Sequence, residues 1–175
     1  VQADFVRPDE ACRRIVAAVD EHFAGRCEIL VNNASAYVLG SPDTLPPPQW
    51  ADLVAVNATT PTMLAERLGR RMVAAGGGAI VNMLDIQARR PWNRRLACAM
   101  TAGAMWTATI GLARRFAPLV RVNGVAPGAV LWNEQDDENL RQRVIEMTPL
   151  KRLGTPATVS RPRLRGWMPK GWKGA

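Results

Sequence analysis

A carboxylate, two amides and a Pro-Gly pair each follow directly on a short apolar run of the sequence. These residues are Asn32, Asn33, Asp85, Pro127 and Gly128. Short apolar runs are typical of the buried strands of a parallel sheet, and such sheets bind ligands beyond the carboxyl ends of their strands. A carboxylate at that edge can exchange a proton with a bound small molecule. The spacing therefore predicts a small-molecule site, although a lone Asp85 is also what a solvated loop would carry.

The elements that must position these residues alternate between strand-like and helix-like patterns. Three runs have strand character, 29–31, 79–84 and 120–125, and residues 1–5 resemble the end of another strand. Three runs have helical character, 8–23, 49–75 and 96–116. Prolines 47 and 48 delay the second helix to about Gln49, and Pro61 predicts an irregularity within it. The β-α-β-α-β order predicts a parallel sheet with helices on both faces.

The basic character of the chain belongs to its last residues. The 175 residues carry a net charge of +8, with 47% apolar and 22% charged residues, which excludes wholesale disorder and allows one domain. Seven Lys and Arg residues lie in 151–175, which contains no acidic residue, so residues 1–150 are almost neutral. From about Ala157 the apolar periodicity is lost. We therefore predict a domain at 1–156 and a basic, unstructured tail at 157–175.

Composition and spacing disfavour several classes of partner. Three cysteines without a CxxC spacing exclude a disulfide framework, disfavour zinc and, with no signal peptide at the start, fit a cytoplasmic location. The acidic run 136–138 has no companion ligands, so we expect no metal. Residues 96–113 carry no charge but contain Thr and Gly, which favours a buried helix over a membrane span. The tail lacks a nucleic-acid-binding motif, so we expect neither membrane nor nucleic acid as partner.

Four motifs in this order resemble the short-chain dehydrogenase/reductase family, in its pteridine-reducing branch. They are VNNAS at 31–35, VNAT at 56–59, NMLD at 82–85 and RVNGVAPGAV at 121–130, and the stretch 131–143 follows them. The resemblance covers about residues 1–155 and implies a Rossmann-like, doubly wound parallel α/β sheet. It also implies hydride transfer from NADPH to a dihydropterin, such as dihydromonapterin, or to dihydrofolate, by an enzyme that assembles as a homotetramer.

The resemblance implies a set of cofactor-binding residues along the strand ends. They are Asp4, Phe5, Asn33, Ala34, Ser35, Pro127 and Gly128. Asp4 and the backbone beside it would contact the adenine ring of the cofactor. The small side chains of the turn 33–35 would let the backbone approach the ribose, and Pro127-Gly128 would pack against the nicotinamide.

The resemblance also implies catalytic and substrate-binding roles. Asp85 occupies the place that a catalytic serine usually takes, as in the pteridine reductases, and would assist protonation of the substrate. Asn57 corresponds to a helix asparagine that holds a structural water and helps a proton relay. The stretch 131–143 would be the loop that closes over the substrate, with Leu131 beside it and Trp132 covering a flat pterin ring.

The family's catalytic Tyr-x-x-x-Lys pair is replaced in this sequence. Cys98 stands at the tyrosine position and Ala102 at the lysine position, and the flanking Met100, Gly103 and Ala104 still match the family. The tyrosine donates a proton as hydride arrives, and the lysine lowers its pKa and holds the nicotinamide ribose. We expect Cys98 to be a small buried residue rather than an acid, which leaves Asp85 and water for slow pterin protonation.

The family's phosphate-binding turn, TGxxxGxG, does not occur in this sequence. The match starts at the third strand of the family, so we expect a partial sheet that lacks the first two strands and the last strand. Because the first strand is central in the family, the strand at 29–31 is expected to have an exposed edge. The loss of the family pattern near Ala157 suggests a shift in reading frame, and the chain as a whole is expected to be truncated and catalytically impaired.

Two hypotheses stand beside that of an impaired reductase. The first is a non-catalytic remnant that associates, through the helices at 49–75 and 96–116, with copies of itself or with an intact relative. The second is electrostatic binding of nucleic acid by the basic tail, which predicts a steep loss of affinity with salt.

Overall fold

The described part of the chain contains a sheet of three parallel strands. The computed structural model describes residues 1–38, 44–91, 95–132 and 137–160. The strands are β1 (Ile29–Asn32), β2 (Gly78–Met83) and β3 (Val120–Val125), hydrogen-bonded in the order β1-β2-β3. All three strands predicted from apolar runs are confirmed to within one residue. Residues 1–5 form no strand; instead the Phe5 carbonyl accepts a hydrogen bond of 2.7 Å from the Thr60 hydroxyl.

The predicted helices are confirmed, with a difference in the second. They are α1 (Pro8–Phe23), α2 (Pro47–Val54), α3 (Thr60–Ala74) and α4 (Leu96–Phe116). The helix expected from Gln49 begins at Pro47, because prolines in a first turn lack only N–H groups that would have no partner there. A π-helical turn, Ala55–Thr59, joins α2 to α3. It stands just before Pro61, whose missing N–H breaks the regular bonding of the helix.

The helices of residues 1–126 pack on one face of the sheet, so the expectation of helices on both faces is wrong for these residues. Leu30 and Ile80 lie in register and pack, with Val122, against side chains of α3 and α4, whereas Ile29 and Val31 on the other face are 67% and 54% exposed. The strand order follows the chain order, and right-handed crossovers then place successive helices on the same side. Helices reach the second face of a doubly wound sheet where the strand order reverses, and the described strands contain no reversal.

Helices α3 and α4 are joined by an apolar cluster and by an ion-pair cluster. Glu66 on α3 accepts hydrogen bonds from Arg70 (2.8 Å) and from Arg115 on α4 (2.9 Å). Burial opposes the change, but these two guanidinium groups lower the pKa of the Glu66 carboxyl below its usual range. α4 is the one described helix that is long and apolar enough to span a membrane, and its buried side packs on β3 and α3.

Close packing between α3 and α4 makes Gly69→Ala a test of this interface. A Cβ at Gly69 would lie 2.4 Å from Cε2 of Phe116, a core ring that is 5% exposed. We expect overpacking to outweigh the better helix propensity of alanine and to lower the free energy of unfolding by about 1–2 kcal/mol in a urea titration. Gly111→Ala on α4 is the control: nothing lies within 4 Å of its Cβ, so it should stabilise by about 0.5–1 kcal/mol. Equal effects of both changes would contradict the packing described.

The second unit of the chain is Pro127–Ala175, and its described residues, 127–132 and 137–160, contain two helices. They are α5 (Glu138–Met147) and α6 (Pro156–Ser160). The carboxylate of Asp137 caps α5 by accepting a hydrogen bond of 2.6 Å from the Leu140 N–H. Residues 138–143 therefore belong to the helix that begins after this cap, and the expectation of a loop at 131–143 is wrong for them. Residues 157–160 of the expected unstructured tail belong to α6, and the rest of the tail lies outside the described residues.

Candidate active site

A hydrogen bond between two buried amide side chains connects the carboxyl ends of β1 and β2. Asn32 Nδ2 donates to Asn82 Oδ1 at 2.8 Å and to the Pro61 carbonyl at 3.2 Å, and Asn82 Nδ2 donates to the Thr109 hydroxyl at 2.9 Å. Asn82 is fully buried. The bonds link two strands to α3 and α4, and so hold the site's edge in place. The sequence analysis gave Asn82 and Thr109 no role. The feature that could have pointed to them is a polar side chain inside an apolar run, Asn82 in 79–84 and Thr109 in 96–113.

Asn57, in the π-helical turn, holds the loop that follows β1. Its Oδ1 accepts from the Ala36 N–H at 2.7 Å and from the Ser35 hydroxyl at 3.3 Å. Its Nδ2 donates to the Ala36 carbonyl at 2.8 Å and to the Thr101 hydroxyl at 3.3 Å. These bonds use the full capacity of a carboxamide, so the side chain connects this loop to α4. The proton-relay role of Asn57 stays a prediction.

Asp85 is the carboxylate at this edge of the sheet. It lies two residues beyond the end of β2 and is half-buried. Oδ1 accepts from the Gln87 N–H at 2.8 Å, and Oδ2 accepts from Gln87 Nε2 at 3.2 Å. The 3₁₀ turn Ile86–Ala88 that begins there packs against α4. The carboxylate therefore has a fixed orientation, and Gln87 is a contributor that sequence reasoning missed.

Cys98 and Ala102 are buried on α4, with 5% and 8% of their surfaces exposed. The Cys98 thiol donates to the Val38 carbonyl at 3.6 Å and packs in an apolar cluster with Leu45 and Leu53. Burial of Cys98 agrees with the expectation of a small packed residue. Neither side chain offers an acid or a cation to a ligand.

The residues expected to meet the adenosine end of the cofactor lie near one another. Asn33, Ala34 and Ser35 are exposed directly after β1, and Asp4 is exposed near the start of the chain. The Thr60 hydroxyl donates to the Phe5 carbonyl and so holds the segment that contains Asp4 next to the start of α3. Pro61, the residue after Thr60, accepts a hydrogen bond from Asn32 at the end of β1. The structure thus brings the residue predicted to contact adenine and the residues predicted to lie near the ribose to the same end of β1.

The cofactor fits the described residues only in part. Pro127 and Gly128 follow β3 in the second unit, and a Cβ at Gly128 would meet no atom of the described residues within 4 Å, which leaves room for a flat ring. The glycines before β2 end helix α3, with positive φ angles at Gly76 and Gly77. They lie before the amino end of β2, whereas Asp85 follows its carboxyl end. No glycine-rich turn follows a strand in the described ranges, so these residues provide no cradle for a diphosphate.

The two predicted substrate residues lie near the start of the second unit. Leu131 is 75% exposed, and Trp132 is partly buried. The guanidinium of Arg141, on α5, lies 5.7 Å from the centre of the Trp132 ring. This cation–π contact covers one face of the indole and was not foreseen from the sequence.

Comparisons with known proteins agree with the motifs. A family model described as enoyl-(acyl carrier protein) reductase matches residues 1–163. Dihydromonapterin reductase of Citrobacter koseri is 31% identical over 153 residues, which is 86% of this chain and 63% of that relative. The chain thus spans less than two thirds of the length of the curated relatives it matches.

Solved structures give the same assignment. FolM alternative dihydrofolate reductase 1 from Brucella canis, complexed with NADP, superposes with a TM-score of 0.77 at 30% identity, covering 87% of this chain and 60% of that one. Gluconate 5-dehydrogenase from Burkholderia cenocepacia J2315, complexed with NADP and tartrate, gives 0.79 at 27% identity over 87% of this chain and 61% of that one. The expected Rossmann-like parallel α/β class is confirmed, and the chain belongs to the short-chain dehydrogenase/reductase family.

Proposed function

We propose that this chain is the part of a cytoplasmic, NADPH-dependent reductase that binds and protonates a dihydropterin, such as dihydromonapterin, or dihydrofolate. The observation that carries the proposal is Asp85, an oriented carboxylate beyond the end of β2, in place of the serine of other family members. The similarity to a dihydromonapterin reductase and to an alternative dihydrofolate reductase supports the choice of substrate class.

The chemistry divides between the cofactor and the chain. NADPH supplies a hydride when bound, but the described residues offer no diphosphate cradle, so only substrate-side roles are assigned. Asp85 has one lone pair left on each oxygen after its bonds to Gln87, and these can accept ring N–H groups of a pterin. In its protonated form Asp85 can donate to a ring nitrogen, directly or through one water.

The replacement of the catalytic pair sets the expected rate. Cys98 and Ala102 are buried and offer no group that could donate a proton to the substrate or hold the ribose. A positioned acid contributes about 10²–10⁴-fold to a rate. We therefore expect turnover by this chain to lie about that far below the turnover of family members that keep the tyrosine.

A thermal melt of the chain alone, with saturating NADPH and with saturating dihydropterin, followed by an assay of pterin-dependent NADPH oxidation, tests the proposal. A ligand at 100 times its Kd adds about 2.7 kcal/mol to stability, so we expect the midpoint to rise. Asp85→Ala should keep that rise and lose slow dihydropterin reduction. Asp52→Asn, at an exposed carboxylate on α2, is the control and should behave as wild type. A melt indifferent to NADPH and to dihydropterin would overturn the proposal.

A second candidate is association through α3 and α4 without catalysis. One side of α4 is free of charge and exposed over several turns: Met100 and Ile110 are 54% and 47% exposed, and Ala104, Thr107 and Gly111 lie between or beside them. Family assembly into homotetramers would use this side. Light scattering of the chain, alone and mixed with an intact family member, should then show complexes, and Thr107→Arg should disrupt them. Monomers under both conditions would rule out this candidate.

A further inference from the structure

Gln87 contacts both oxygens of the Asp85 carboxylate. Its backbone N–H donates to Oδ1 at 2.8 Å, and its side-chain Nε2 donates to Oδ2 at 3.2 Å. One residue thus fixes the plane of the carboxylate as well as its direction. A carboxylate held at one oxygen could rotate about the bond to its Cβ, whereas this one is held at both.

Packing alone does not explain a glutamine at this position. Gln87 is 7% exposed, and its Oε1 is enclosed with no hydrogen-bond partner among the described residues. A buried acceptor without a partner destabilises a fold. Methionine has a similar length and shape and would fill the same space without that disadvantage. The amide is therefore best explained by what it does to its neighbour.

We propose that Gln87 is the positioning residue of Asp85 and serves it in both protonation states. This inference rests on the proposed function, in which Asp85 gives a proton to the pterin. While Asp85 is ionised, Gln87 Nε2 donates to Oδ2, as in the structure. When Oδ2 carries the proton and no pterin is bound, a half-turn of the carboxamide places Oε1 there to accept it, and the O–H turns to the ring nitrogen once a pterin binds. The unpaired Oε1 is the half of the amide that the ionised state does not use.

The test compares Gln87→Met with wild type in three measurements. These are the thermal midpoint, the Kd for 7,8-dihydrobiopterin from its fluorescence, and the kcat and KM of dihydropterin reduction. Because the variant removes an unpaired buried acceptor, we expect its midpoint to stay equal or rise. Loss of a bond to a charged group should weaken pterin binding by roughly 10-fold and lower kcat/KM by at least as much. Gln142→Met, at an exposed glutamine on α5, is the matched control and should change neither.

A second variant separates the hydrogen bond from the shape of the side chain. Gln87→Glu keeps the shape, and the proton that two adjacent carboxyls share lets it donate to ionised Asp85, so it should bind dihydropterin more tightly than Gln87→Met. Full binding by Gln87→Met, or binding by Gln87→Glu that is no tighter than that of Gln87→Met, would overturn the proposal. So would a parallel fall of thermal midpoint and affinity in Gln87→Met, because that pattern marks a merely structural residue.

An NMR measurement keeps this inference separate from the proposed function. The side-chain NH₂ resonances of Gln87, assigned with the Gln87→Met variant, should move when Asp85 is replaced by alanine. If wild type binds no dihydropterin and these resonances still move, the proposed function fails while the positioning of Asp85 stands. If they do not move, the inference itself fails whatever the protein binds.

Discussion

Asn82→Asp is expected to lower the free energy of unfolding by at least about 3 kcal/mol, because it places a charge in the core without a partner. Asn82 is fully buried and donates from Nδ2 to the Thr109 hydroxyl at 2.9 Å. That hydroxyl already donates its own proton to the Met105 carbonyl at 2.8 Å, so it can only accept. An aspartate oxygen there would face another acceptor, and only the bond from Asn32 would remain.

Chemical unfolding followed by circular dichroism measures this effect. Asn123→Asp makes the same change of one atom at an exposed position on β3 and should stay within about 0.5 kcal/mol of wild type. Because protonation of the new carboxyl restores a donor toward Thr109, the loss in Asn82→Asp should shrink at low pH. A midpoint equal to that of Asn123→Asp would show that the amide network does not hold the strand ends.

The double substitution Cys98→Tyr with Ala102→Lys should not restore rapid turnover, although it rebuilds the family's catalytic pair. Cys98 is 5% exposed among Leu45 and Leu53, so a tyrosine overpacks the cluster at a loss of about 1–3 kcal/mol. Ala102 is 8% exposed, and a lysine there buries a charge. The described residues also provide no diphosphate cradle, so the rebuilt pair would have no firmly held nicotinamide beside it.

Pterin-dependent NADPH oxidation and a thermal melt of the same variant together decide this prediction. We expect a lowered melting midpoint and turnover no faster than that of wild type. Cys98→Ala, which leaves the cluster almost filled, is the control and should keep both values close to wild type. Turnover at the rate of an intact family member would contradict our view that more than the catalytic pair limits this chain.

Local signals in the sequence were sufficient for the elements of the fold. Apolar runs predicted β1, β2 and β3, and helix α1 was placed by its leading proline and apolar face. Adjacent residues determine these features, so they do not depend on distant contacts. The start of α2 at Pro47 was missed because prolines are tolerated in a first helical turn, and the helical state of residues 138–143 was missed because it depends on the cap by Asp137.

The candidate site could be located from the sequence but not assembled from it. Asn33, Asp85 and Gly128 were predicted because each follows a strand, and the same motifs identified the family and predicted the replacement of its tyrosine and lysine. The sequence could not show that Asn57 uses every bond of its side chain on the β1 loop and α4, because those partners lie far apart in the chain.

What the sequence by itself determined is the order of strands and helices and the family, and it predicts that Cys98 and Ala102 stand where the family has its catalytic pair. What only the tertiary structure decided is which polar atoms are paired. Asn32 and Asn82 meet across two strands, and the Gln87 amide turns back to Asp85 while its own oxygen stays unpaired. The physical reason is that apolar patterning acts through local periodicity, whereas a buried hydrogen bond depends on burial and register, which exist only once the chain has folded.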